Sequence, residues 1–133
     1  MKKTRPQCGL ILENGNRQIL LQLRDDKPTI AYSNCWGTFG GQIEPGETPR
    51  VAIVREIREE LDYKLHAPEY FGMYPFDGYD IYMFRKVDPD LVLEQLTVRE
   101  GQAARFFSRA ETETLAYAFN CGTIVDDYFQ KFP

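Results

Sequence analysis

Glu56, Glu59 and Glu60 bring three carboxylates together at spacings that place all of them on one side of a helix. Like charges this close repel on an exposed helix, and more strongly where water is partly excluded. A compensating cation is therefore expected. Hard oxygen donors with no histidine or cysteine among them suit Mg²⁺ or Mn²⁺ and argue against zinc. The bland alternative is a solvated acidic face, the ordinary role of such a charge run. The residues around the cluster decide between the two.

Those residues run from Gly40 to Tyr63, GGQIEPGETPRVAIVREIREELDY. Thr48 is a good N-cap, since its hydroxyl can accept from a free backbone N–H, and Pro49 suits the first helical position. The helix is thus predicted to begin at Pro49. Helical spacing puts Ile53, Val54, Ile57 and Leu61 on a buried stripe and the three acids on the adjacent arc. Ala52 falls in the acidic arc, where its small side chain leaves room for a ligand. Arg50 and Arg58 lie outside that arc, so neither is an obvious partner for it. Gly40 and Gly41 let the backbone approach a metal or phosphate closely.

This stretch resembles the box of the Nudix hydrolase family, G-x5-E-x7-R-E-U-x-E-E-x-G-U with U apolar. Gly41, Glu47, Arg55, Glu56, Ile57, Glu59 and Glu60 match it, and Tyr63 fills the last place. Asp62 stands where the box has its late glycine. Aspartate enters the left-handed conformation more readily than most residues, so the change costs at most about 1 kcal/mol locally and removes no ligand.

The resemblance implies an α/β fold, specifically an α/β/α sandwich with a mixed β-sheet in a single domain over residues 1–133. It also implies a pyrophosphohydrolase dependent on Mg²⁺ or Mn²⁺, cleaving a phosphoanhydride in a nucleoside diphosphate-linked substrate such as a nucleoside triphosphate or a nucleotide sugar. A catalytically silent nucleotide-binding regulatory module is the alternative, and the retention of every box carboxylate stands against it. The implied metal ligands are the Gly41 carbonyl with Glu59 and Glu60, while Glu56 either ligates or orients the attacking water. Glu47 and Arg55 are implied to pair and lock loop against helix. Outside the box, Glu100 in Arg99-Glu100-Gly101-Gln102 matches a further carboxylate of the nucleotide-sanitising branch, with an exposed loop glutamate as the equal alternative, and Asn120 matches an asparagine that reads a purine edge, although a cap or turn asparagine is the commoner role. Family members are often dimers, so the resemblance leaves a homodimer open, and the sequence does not fix the oligomeric state.

Other recognition residues come from residue type and position. Trp36, Phe39, Tyr32, Tyr79 and Tyr82 could stack on a base or sugar, although most such aromatics are core. Arg5, Arg24 and Arg85 could hold a phosphate, with Arg24 favoured because it ends a strand near the cleft. Asp77 and Asp80 are weaker carboxylate candidates. His66 has no serine or cysteine nucleophile pattern around it, which leaves a hydrolase triad without support.

The elements that must position these groups are readable in order. Strands are predicted over Gln7 to Glu13 and Gln18 to Arg24, joined by an Asn14-Gly15-Asn16 turn. A polar loop leads to a short strand, Trp36 to Gly40, and then to the helix. Strands over Lys64 to Tyr74, Tyr79 to Val87 and Gln102 to Phe107 follow. Ser108 caps a short helix through about Leu115, and a last helix from Thr123 to Phe132 carries the stripe Ile124, Val125, Tyr128 and Phe129.

A chain of 133 residues, 43% apolar and 27% charged, has the length and balance of one globular domain with a real core. Its net charge of −4 gives no electrostatic footprint for a nucleic-acid duplex or an anionic membrane. Phosphates must therefore be met by metal and a few local cations. Cys8, Cys35 and Cys121 are odd in number and lack metal-binding spacing, so reduced thiols in the cytoplasm are expected. The basic start MKKTR leads into too short an apolar run for a signal peptide, and nothing later reaches the length of a membrane span.

Overall fold

Strand β1 (Gln7–Glu13) is covered on both faces, which is why it is apolar almost throughout. Cys8, Leu10 and Leu12 point to one side, and Ile11 to the other. In the computed structural model, which describes residues 5–133, β1 pairs antiparallel with β2 (Ile19–Leu23) and β4 (Phe39–Gln42) and parallel with β6 (Tyr79–Val87). Strands β3 (Trp36–Gly37) and β7 (Ala103–Phe107) flank β2, and β5 (Glu69–Phe76) lies along β6. The result is a mixed seven-stranded sheet. Met1–Thr4, most of the basic start, lies outside the described residues.

Helix α1 (Pro49–Leu61) packs on one face with Leu10, Leu12, Leu20 and Phe84; α3 (Cys121–Lys131) packs on the other with Ile11, Leu21 and Met83. A single turn, α2 (Arg109–Thr112), is capped by Ser108, whose side chain accepts from the Glu111 N–H. The α/β/α sandwich is therefore as expected. The stripe of α3 is also as expected, with Ile124, Val125, Tyr128 and Phe129 all buried.

The α1 stripe needs correction. Val54 is 37% exposed, whereas Ala52, assigned to the ligand arc, is fully buried. The helix is rolled toward its acidic side because Gly41 on β4 presents no side chain to hold it off. A Cβ at Gly41 would lie 2.6 Å from the Glu56 carboxyl group.

Element boundaries also moved, most of all in three places, while α3 starts two residues early at Cys121 and β5 runs on to Phe76. The chain changes partners at Thr38, from β2 to β1, so the predicted Trp36 to Gly40 strand is two strands. Strand β5 starts at Glu69 rather than Lys64, after Ala67 at a positive φ of 47° and Pro68. The capped turn α2 ends at Thr112, short of Leu115.

Candidate active site

Helix α1 begins where its cap dictates, with the Thr48 Oγ1 accepting from the Val51 N–H at 3.2 Å. It ends at Asp62, which takes the left-handed conformation of the absent glycine at φ 52° and ψ 35°. Asp62 is held there by ion pairs to Arg58 at 3.2 Å and to Arg99 at 3.7 Å. Between these ends the three acids have different surroundings. The Glu60 residue is only 5% exposed, the Glu56 side chain is largely buried over Gly41, and the Glu59 side chain is more than half exposed.

Arg55 organises the outer part of the site. Its Nε and Nη2 donate to the two carboxylate oxygens of Glu47 at 2.7 and 2.9 Å, and its Nη1 donates to Glu56 at 2.9 Å and Glu59 at 3.1 Å. Nη2 also donates to the Gln42 carbonyl at 3.1 Å, while Glu47 accepts from the Glu44 N–H at 2.9 Å. The paired fork holds the Glu47 carboxyl down to about 2. Loop and helix are thus locked by the pair that the box implies. Arg50 and Arg58 take no part, as their places outside the acidic arc imply, and Arg55 supplies the positive charge to Glu56 and Glu59.

Glu60 lacks such a partner. Its Oε1 accepts from the Gly40 N–H at 3.0 Å, and its charged neighbours are acids, Glu100 and Glu56. Burial first, then Glu100 and Glu56, push its carboxyl far above the usual carboxylate range. Burial also raises Glu56, against the lowering contact with Arg55.

Glu100 reaches this point because its loop is stitched to two elements. On the helix side, Thr97 and Arg99 N–H donate to the last carbonyls of α1, on Leu61 and Glu60, at 3.0 and 2.8 Å. On the sheet side, the Gln102 N–H donates to the Leu23 carbonyl at 2.8 Å, and the Gln22 amide donates to the Glu100 carbonyl at 3.0 Å. The loop therefore satisfies the free end of the helix while delivering a fourth acid to it.

The donor set fits a hard divalent cation. Glu59, Glu60, Glu100 and the Gly41 carbonyl are all oxygen donors, and the buried Glu60 lacks the positive charge that burial requires. Among the described residues no three acidic, histidine or cysteine groups already form a finished cage. Arg55 engages Glu59 and Glu56 instead.

A cavity of about 240 Å³ opens beside these residues, with Gly40, Gly41 and Glu100 among its walls. Asn120, Phe119, Tyr79 and Arg24 line it as well. Asn120 stands at the N-cap position of α3 without capping it; its Nδ2 lies 3.4 Å from the Pro75 carbonyl, and its Oδ1 is buried without a partner. Arg24 does line the cavity, but its guanidinium donates to the Ala31 carbonyl and lies 5.0 Å from the Phe119 ring centre.

Two proposed stacking residues are displaced from the cavity. Phe39 is 2% exposed inside the α1-side core, and the Trp36 ring packs edge-on against Phe107 on the α3 side. Both sit on strands whose alternation turns these side chains into a core. Arg5 pairs with Glu44 at 2.5 Å, and Arg85 is taken up by Glu69 and Tyr128, so neither reaches the cavity. Phe119, Gln22 and the Cys8 thiol, pushed up to about 12 by burial, line the cavity without having been singled out as binding residues. One signal was available for Gln22, a polar residue inside the apolar run Ile19–Leu23.

A family model described as the NUDIX domain matches residues 3–122. The chain is 33% identical over 109 residues to Nudix hydrolase 26, chloroplastic, of Arabidopsis thaliana, covering 77% of this chain and 44% of the relative. It is 38% identical over 65 residues to a putative 8-oxo-dGTP diphosphatase of Bacillus subtilis, covering 49% of this chain and 40% of the relative. The chain thus spans less than half the length of either relative. A mutT/nudix family protein from Listeria innocua shares the fold, with a TM-score of 0.84 at 19% identity, over 99% of this chain and 96% of that one. The box residues, their geometry around Arg55 and the match over residues 3–122 make this chain a member of the Nudix hydrolase family.

Proposed function

We propose that the protein hydrolyses a phosphoanhydride bond of a nucleoside triphosphate or a closely related nucleoside diphosphate derivative, with Mg²⁺ or Mn²⁺ bound. The observation that carries this reading is Glu60, a buried carboxylate facing Glu100 and Glu56 with no cationic partner, beside a cavity open to a ligand. Glu59, Glu60, Glu100 and the Gly41 carbonyl would hold the metal. When bound, it supplies charge neutralisation for the phosphate oxygens and the leaving group.

The chain's own residues do the rest. Glu56, whose proton affinity burial raises, takes the proton from the attacking water, so that the O–P bond forms as the bridging P–O bond breaks. Arg55 holds Glu56 through Nη1 and fixes the loop that carries Glu47. The departing phosphate or pyrophosphate takes the bridging oxygen with it.

Substrate choice follows from the cavity. At about 240 Å³ it falls just below the roughly 300–1,000 Å³ typical of whole-ligand pockets, which suits one nucleoside with its phosphates projecting toward Glu100. The unpartnered Asn120 Oδ1 is an acceptor that a base N–H would satisfy, in keeping with a role in reading the base edge. Similarity to a relative named for 8-oxo-dGTP supports a purine nucleoside triphosphate.

The test is a panel of nucleoside triphosphates, oxidised purine triphosphates and nucleotide sugars with Mg²⁺, scored for phosphate and pyrophosphate release. Purine triphosphate turnover that loses its base preference in Asn120→Ala supports the reading. Turnover confined to nucleotide sugars would displace the triphosphate assignment. Nucleotide binding without turnover of any member would replace the enzyme with a binding module.

A further inference from the structure

Gln22 is a buried polar side chain, 7% exposed, in a strand otherwise made of isoleucine and leucine. It faces the α1 side of the sheet with Leu20, and nothing in the box calls for an amide there. Its Nε2 donates to the main-chain carbonyl of Glu100 at 3.0 Å, fixing the peptide plane between Glu100 and Gly101. Gly101 follows at φ +85°, and a Cβ on it would lie 2.7 Å from the Leu23 carbonyl oxygen and 2.8 Å from the Gln22 Cγ. The loop is therefore pressed directly onto this side chain. Gln22 also lines the cavity.

We propose that Gln22 is a positioning residue for Glu100: by holding its carbonyl, it aims the Glu100 carboxylate at Glu60 and so sets both metal affinity and the rate of the chemical step. The proposal rests on the assignment of Glu100 to the metal site made above. The other bonds of the loop go to the helix end at Thr97 and Arg99, and to the strand end at Gln102. They fix where the loop sits. The bond from Gln22 is the one made to the main chain of Glu100 itself, and it fixes the peptide from which the carboxylate projects.

Two nearly isosteric variants separate this role from simple packing. Gln22→Glu keeps the shape and loses the donor; Gln22→Met keeps the volume and loses all polarity. Partners that orient a metal ligand typically contribute about 10- to 100-fold in metal affinity or activity. The expected result for both variants is therefore a kcat lower by about 10-fold with KM little changed, and Mn²⁺ affinity weaker by a similar factor, read from free Mn²⁺ by electron paramagnetic resonance without substrate.

The decisive measurement is a double-mutant cycle with Glu100→Gln. If Gln22 acts through Glu100, Gln22→Met should cost less than about 2-fold in Mn²⁺ affinity once Glu100 is already changed. Equal costs in both backgrounds, or an effect on KM alone, would overturn the proposal. Should Glu100→Gln by itself leave Mn²⁺ affinity and kcat unchanged, the assignment of Glu100 to the metal site is what fails, and the proposal falls with it. Thermal unfolding of metal-free Gln22→Glu and Gln22→Met checks that each variant is folded before its affinity is read.

Discussion

Two carboxylates are buried to nearly the same depth in this protein, and their surroundings are opposite. Glu13, 2% exposed, receives Arg17 at 2.9 Å and the Tyr128 hydroxyl at 2.6 Å, with Arg85 at 3.9 Å. Arg17 also donates to the Phe132 carbonyl at 2.6 Å, tying the end of α3 to the first hairpin. Glu60, 5% exposed, meets one backbone N–H and two further acids. Burial of a charge is tolerable only when something compensates it. At Glu13 the protein compensates it with its own arginines, which makes a fastener. At Glu60 none of the described cationic side chains does so, which is what the proposed metal site rests on.

The sharpest way to break this contrast is to neutralise each acid. Glu60→Gln should lower kcat by about 10³-fold, the size expected for losing roughly 4 kcal/mol of charge stabilisation in the transition state, while the metal-free protein unfolds no earlier than wild type. Steady-state kinetics and calorimetry in a chelator check the two halves. Wild-type turnover in the variant would remove Glu60 from the site altogether.

Glu13→Ala should invert that pattern. It leaves the buried Tyr128 hydroxyl without its acceptor and removes one of the acids around Arg85, and breaking a buried charged cluster from one side costs about 3 kcal/mol or more. A lower midpoint in urea is expected, with kcat per folded molecule unchanged, because Glu13 is not among the residues lining the cavity. A large loss of kcat at full folding would mean that this cluster is more than a fastener.

The contrast was only half legible in the sequence. Capping at Thr48-Pro49, the left-handed stop at Asp62 and the α3 stripe are local chemistry, and each fell where the residues put it. The Glu47–Arg55 lock came from the resemblance. The roll of α1 was hidden, because it depends on what α1 packs against: the bare Gly41 on β4 lets the Ala52, Glu56 and Glu60 side descend and leaves Val54 outside. Phe39 and Trp36 were misplaced for a related reason. An aromatic in a strand faces core or cavity according to which strand lies beside it, and the change of partner at Thr38 is a tertiary event. Gln22 needed the loop of Glu100 to be seen against it before its polarity had a meaning.

The smallest effect expected is also the one that ties the contrast to pH. Glu60 has its carboxyl raised in the folded protein above the unfolded value of about 4.3. A raised folded value means the fold prefers the protonated acid, so its contribution to stability is complete below the unfolded value and is lost as pH climbs toward the folded one. Metal-free protein should therefore unfold at a lower temperature at pH 8 than at pH 6, by about 3 °C, and Glu60→Gln should flatten that slope. Added Mg²⁺ acts in the opposite sense, since it binds the ionised acids and stabilises the fold more at pH 8 than at pH 6. Glu47 contributes no slope here, because Arg55 keeps it ionised at both values. A metal-free slope that survives Glu60→Gln would assign the pH sensitivity to another group and leave Glu60 compensated after all.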